Sequence, residues 1–348
     1  MNIQQWQLLK NTASRESQAT PPVALIVDSP WIPGYTGMST LDYFTMPGEW
    51  FAANLQVVNE FPEVIFLPGF WVEYGMTNEP SAFGCKISFY EHKTPCANQL
   101  FKAGEDFEGL AEAVCGMKSP NPRTDGLLPL VLNQYRRMEP KVKDAGHLMK
   151  IVCARGPLAI AAHLMGVTDF LMAMKLDPDN THRLLKIIST LVKDWLEAQA
   201  DVLHDAEGIM VLDDIMGFMS ETDYLEFAHP YFREIFGAFP TALKILHNDT
   251  NNKVPLPYVA DLGVHIFNFS HLIDIAEARR LVGEKVCLMG NIPPLDALAL
   301  ADPERVKEET AKCLSGYGNG PGLLLSAGGG VSPGTPAANI KAMIEACG

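Results

Sequence analysis

The chain has 348 residues, 47% hydrophobic and 20% charged, which is enough apolar content for a large buried core in one or two domains. A formal net charge of −14 leaves no electrostatic footprint for nucleic acid and argues against an anionic membrane surface. There is no apolar run of about 18 residues, and Met1-Asn2-Ile3-Gln4-Gln5-Trp6 lacks the basic-then-apolar order of a signal sequence, so the expected location is the cytoplasm.

Residues 1–20 are polar and predict a helix or arm lying outside the main body. Val23–Val27 reads as a first buried strand ending at Asp28, and a helix is expected over Pro47–Glu60 with Trp50, Phe51, Leu55 and Val58 on one face. The second strand, Val64–Leu67, runs into Pro68-Gly69-Phe70-Trp71-Val72-Glu73-Tyr74. Residues 76–147 then read as a proline-containing insertion or lid, with a hairpin around Cys85–Glu91.

The third strand, Lys150–Ala154, ends at Arg155. A long helix follows, begun by Asp177-Pro178 and marked by Leu184, Leu185, Ile188, Leu191, Val192, Trp195 and Leu196 at helical spacing. Gly208–Leu212 is the fourth strand, ending in Asp213-Asp214, and Leu243–Leu246 the fifth, ending in His247 and Asp249. Val264–Phe269, Lys285–Met289 and Gly322–Leu325 complete the set, with helical stretches such as Ile273–Leu281 and Pro303–Leu314 between them. Repeated strand-then-helix units predict an α/β fold: one (β/α)8 (TIM) barrel over 21–348, preceded by an N-terminal extension and interrupted after strand two. Seven scattered cysteines (85, 96, 115, 153, 287, 313 and 347) contain no CxxC pair and read as reduced thiols.

In such a barrel the strand carboxyl ends share one face, where ligands meet chemistry. That face would carry Asp28, Trp71, Glu73, Tyr74, Arg155, Asp213, Asp214, His247, Asp249, His271, Asn291 and Ser326. His247 and Asp249 stand at i and i+2 and could share a metal, a proton or a substrate oxygen; equally, they could only cap a strand and start an Asx turn. The aromatic run Phe70, Trp71 and Tyr74 points to a flat apolar substrate, or to core beneath the insertion. In Ser326-Ala327-Gly328-Gly329-Gly330, three glycines let a backbone approach a bulky ligand or cup an anion, before an expected helix with Thr335 as cap.

The motifs Asp177-Pro178, Val211-Leu212-Asp213-Asp214, Leu246-His247, Met289-Gly290-Asn291-Ile292-Pro293-Pro294 and the Ser326–Pro336 loop resemble the uroporphyrinogen decarboxylase superfamily in order and spacing. The likeness covers about residues 20 to 345 and is strongest after 150. Decarboxylases of that group carry an arginine-rich stretch after the first strand and a catalytic aspartate after the second. Here Ser29-Pro30-Trp31-Ile32-Pro33-Gly34-Tyr35 has no arginine, and Phe66-Leu67-Pro68-Gly69-Phe70-Trp71 has no aspartate. The zinc-dependent methyltransferases of the same superfamily bind metal through His-x-Cys and a cysteine in the last glycine loop. His247 matches the histidine, whereas Asp249 and Gly329 stand at the cysteine positions, which removes the thiolates that suit a thiol acceptor.

Phe61–Trp71 and Glu79–Gly84 look like the methyltransferase I component of corrinoid-dependent aryl-ether O-demethylases. The resemblance implies methyl transfer from a guaiacol- or vanillate-like methoxyphenol to the cob(I)alamin of a partner corrinoid protein. It assigns catalytic work to His247, Asp249 and Asp213, the same three holding zinc if a metal is bound. Phe70, Trp71, Tyr74, Arg155 and Asn291 would contact substrate, and Ser326, Gly328, Gly329 and Gly330 would lie under the corrin of the cobalamin. Another methyl donor or acceptor, or a non-catalytic corrinoid-binding barrel, remains the alternative, and a homodimer is left open.

Overall fold

The computed structural model describes residues 1–27, 29–102 and 108–348, so Asp28 lies outside the described residues. Eight short strands carry the architecture: β1 Ala24–Ile26, β2 Ile65–Leu67, β3 Ile151–Arg155, β4 Gly208–Leu212, β5 Leu243–Asn248, β6 Ile266–Phe269, β7 Cys287–Ile292 and β8 Leu323–Ala327. β3 to β8 form one six-stranded parallel sheet in chain order, and β1 pairs with β2 in parallel. Bridges from Val23 to Leu325 and from Ile26 to Gly330 join β1 to β8. This is a (β/α)8 barrel; among the described residues no ladder joins β2 to β3.

The strands are largely apolar because both of their faces are covered. Successive side chains alternate. Ile26, Leu67, Cys153, Met210, Ile245, Ile266 and Leu324 fill the barrel interior. Leu25, Phe66, Val152, Val211, Leu246 and Phe267 face the surrounding helices. The longest helix, Pro178–Val202, begins where the Asp177 carboxylate accepts the Asn180 amide, with proline in its first turn. Gln199 on its buried side docks it to β3 by donating to the Cys153 carbonyl at 2.8 Å.

The N-terminal segment is a helix, Ile3–Ala13, but it does not lie outside the body. Met1, Trp6, Leu9 and Ala13 are buried against the barrel interior. Trp6 donates its indole N–H to Glu207 ahead of β4, and Gln5 donates to the carbonyls of Pro62 and Val64 ahead of β2. The Met1 carbonyl accepts the Leu148 amide at 2.7 Å beside the β2–β3 seam. The helix therefore plugs the amino-terminal end of the barrel.

Between β2 and β3 the expected hairpin exists as Ile87–Ser88 paired antiparallel with Cys96–Ala97, slightly later than the sequence implied. Part of this insertion is core, since the helix Leu128–Asp144 buries Val131, Tyr135 and Met138. The last helix starts at Ala337 with Pro336 as its cap, while the Thr335 hydroxyl donates back to Ser332. All seven cysteines are free. Among the described residues no single helix is long and apolar enough to cross a membrane.

Candidate active site

The strand carboxyl ends and the segment Thr94–Ala97 enclose a cavity of about 600 Å³. Its walls are largely apolar, with Ile26, Pro30, Met76, Pro95, Ala159, Val167, Leu212 and Ile215, and its polar floor is Asp214, His247 and Asp249. The β4–β5 register sets Leu212 beside His247, and the Asp213 amide extends the ladder by donating to the His247 carbonyl at 3.1 Å. Adjacent residues at a strand end face opposite ways, so Asp213 and Asp214 part company here.

Asp213 turns away from the cavity. One oxygen accepts the amides of Leu158 and Ala159 at 2.9 and 3.0 Å, and the other accepts the Ile215 amide at 3.0 Å. It is the missing cap of the helix Pro157–Met165, whose own N-cap, Gly156, has no side chain to offer. A Cβ on Gly156 would sit 2.4 Å from an Asp213 oxygen, so glycine is required for the approach. Burial, and then the neighbouring Asp214, push the Asp213 carboxyl up to about 7. Asp213, expected from the sequence as an acid or ligand, thus does not face the cavity, and Asp214 does.

Ligand atoms of Asp214, His247 and Asp249 all lie within 4.8 Å of one another. Asp214 Oδ1 accepts the Asp249 amide at 3.1 Å and stands 3.9 Å from His247 Nε2. Burial and the Asp214 charge raise the Asp249 carboxyl above the usual range, against the pull of His247. Gly329, at φ +138°, makes room: a Cβ there would approach the Asp249 carboxylate at 2.7 Å.

Behind the histidine stands Asn268, fully buried mid-strand on β6 and in register with His247. Its amide nitrogen donates to the carbonyls of Met289 and Ala327 at 2.9 and 3.1 Å. Its oxygen therefore faces His247 Nδ1 at 2.7 Å as an acceptor, which holds the proton on Nδ1 and leaves the Nε2 lone pair aimed at the floor. Asn268 escaped the sequence reading because it sits inside an apolar strand; a lone amide in such a run was the available signal.

Arg155 lines the same cavity from the neighbouring strand β3, in register with Leu212. It pairs with Glu73 at 3.1 Å, donates to the Gly75 carbonyl, and lies over the Trp71 ring with its guanidinium carbon 5.0 Å from the ring centroid. Glu79 accepts the Arg155 backbone amide at 2.9 Å. Burial raises the carboxyls of both Glu73 and Glu79, with Arg155 opposing the shift.

The aromatic clamp expected of Phe70, Trp71 and Tyr74 does not line the cavity. Phe70, at φ +52°, turns into the core against Trp50 and Phe51. Trp71 belongs to the barrel interior, and Tyr74 packs against Phe44 and Phe89. Asn291 holds the β6 tip instead of facing substrate, donating to the carbonyls of Ser270 and Ile273. Of the residues expected beneath a corrin, Ser326 is fully buried and Gly328 packs against the His271 backbone, where a Cβ would meet the amide nitrogen at 2.3 Å. Gly330 alone of that group lines the cavity.

A (β/α)8 barrel with a His/Asp/Asp cluster at its strand carboxyl ends has the form of an enzyme site. The profile of the uroporphyrinogen decarboxylase (URO-D) family matches residues 7–348, and the chain belongs to that family. It is 28% identical to the uroporphyrinogen decarboxylase of Salmonella typhimurium over 266 residues, covering 71% of this chain and 72% of that protein. It is 33% identical to the Chlorobaculum parvum decarboxylase over 176 residues, 49% of each chain. In fold it is similar to a methyltransferase from Methanosarcina mazei, at TM-score 0.82 and 19% identity over 98% of this chain and 97% of that one. A B12-independent methionine synthase from Shewanella sp. W3-18-1 follows at TM-score 0.56 and 9% identity, over 94% and 97%.

Proposed function

We propose that the protein is a methyltransferase that takes a methyl group from an aryl methyl ether and passes it to the cob(I)alamin of a partner corrinoid protein. The observation that carries this reading is the charge of the cavity. Among the described lining residues Arg155 is the one guanidinium or ammonium group, and it is already paired with Glu73, while Asp214 and Asp249 are acidic. A porphyrinogen bearing eight carboxylates would find repulsion where it needs cations. A small, mostly apolar ether suits the same walls.

In the transfer, the methyl–oxygen bond breaks, the methyl carbon gains a bond to cobalt from the Co(I) electron pair, and the oxygen keeps its bonding pair as phenolate. Asn268 holds the His247 proton on Nδ1, so Nε2 offers a lone pair beside two carboxylates. That donor set fits zinc, which takes imidazole nitrogen and carboxylate oxygen, and the His247–Asn268 contact has the form of a ligand with its outer partner. His247, Asp214 and Asp249 would hold the ion, and when bound it would supply Lewis acidity to the leaving oxygen. The Ile26, Leu212 and Ile215 walls exclude water from the ether, and Thr94–Ala97 covers it.

Docking of a partner at the mouth is supported by exposed apolar side chains on the segments that follow the strands: Phe218 after β4, Leu272 after β6 and Leu295 after β7. The test is anaerobic incubation with reduced corrinoid protein and a panel of methoxylated phenols, following methylcobalamin by its absorption spectrum. Methylcobalamin formation is expected. Decarboxylation of uroporphyrinogen in its place would overturn the reading.

A further inference from the structure

We infer that the Glu73–Arg155–Glu79 cluster selects ethers carrying no carboxylate, so that an uncharged methoxyphenol is accepted and a methoxybenzoate refused. This deepens the proposed function and rests on it for the reaction. The geometry is that of a cation already spent. The guanidinium of Arg155 meets Glu73 at 3.1 Å, the Gly75 carbonyl at 3.5 Å and the face of Trp71, while Glu79 holds its backbone amide. Both carboxylates are buried, 4% and 3% exposed, so solvent does not screen them.

An entering carboxylate would have to displace Glu73 from Arg155, leaving a buried acid without its partner. It would also share the cavity with the acidic Asp214 and Asp249. His163, another basic group lining the cavity, offers no charge in exchange, since burial and then Arg155 lower its pKa below the ordinary histidine value. A phenol hydroxyl or a second methoxy group carries no such cost.

The experiment compares guaiacol with vanillate, which adds one carboxylate to the same methoxyphenol, in the full-length protein with reduced corrinoid protein. Binding is read by calorimetry and transfer by methylcobalamin formation. Guaiacol is expected to bind and react at least about tenfold better, and Glu73→Gln, which frees Arg155, to raise vanillate relative to guaiacol by about tenfold. Equal or better use of vanillate by the unmodified protein overturns the inference while leaving methyl transfer intact. An unchanged ratio in a folded Glu73→Gln overturns it too. If Glu73→Gln does not fold, the ranking by the unmodified protein decides. Transfer from neither ether, with guaiacol still the tighter ligand, defeats the proposed reaction and supports the charge selection. Binding of neither defeats both.

Discussion

Asn268 accepts the Nδ1 proton of His247 at 2.7 Å, and its own amide is held by two carbonyls so that it cannot turn to do otherwise. Which nitrogen of the imidazole is free is therefore decided one layer away from the cavity. Asn268→Ala should leave the fold of the strand ends in place while lowering zinc affinity roughly 10- to 100-fold, the usual effect of losing such a partner. Zinc titration with a competing chelator measures this; unchanged affinity would mean that His247 binds no metal through Nε2.

Asp213 and Asp214 should separate cleanly. Asp213→Ala removes acceptors from three backbone amides and is expected to cost about 1–3 kcal/mol of stability. Asp214→Ala should change the urea midpoint little and abolish tight metal binding. Chemical denaturation and metal titration on the two variants check both halves, and the opposite assignment would restore Asp213 as the functional residue.

Trp71→Ala should behave as a core truncation. The ring is 7% exposed among barrel-interior residues, so a loss of about 3–5 kcal/mol is expected. A variant of native stability with only a raised KM would place Trp71 against substrate.

The raised carboxyl of Glu79 makes stability depend on pH. Because its folded pKa lies above the ordinary value of 4.5, the native state retains a proton that the unfolded chain has released. Its contribution to stability therefore falls as pH rises from about 4.5 through the folded pKa. Glu79→Gln keeps an oxygen for the Arg155 amide and removes the titration. Urea midpoints measured from pH 4 upward should decline less in the variant than in the parent; parallel profiles would show that Glu79 titrates alike in the folded and unfolded states.

How much of this was legible in the chain differs by kind of feature. The strands were, because buried parallel strands are short apolar runs with polar ends, and β4 was located to the residue at Gly208–Leu212. The strand ends also marked where His247, Asp249 and Arg155 would gather. What could not be seen was direction. Asp213 and Asp214 are equivalent as letters, and only the ladder from Asp213 to the His247 carbonyl says which of them faces the cavity. Likewise Gly69 and Phe70, at φ +81° and +52°, swing the chain after β2 so that an aromatic run at a strand end becomes core. The N-terminal segment read as lying outside the body because its polar residues outnumber the four that enter the barrel.

That helix also bears on the order of events in the proposed transfer. With Met1, Trp6 and Leu9 filling the amino-terminal end of the barrel, traffic would use the mouth, which the proposed partner protein would cover once seated. On the proposed function, the small reactant would have to bind before the partner docks, and its product would leave only after the partner departs. Steady-state kinetics should accordingly show inhibition at high partner concentration, as premature docking traps an empty chamber.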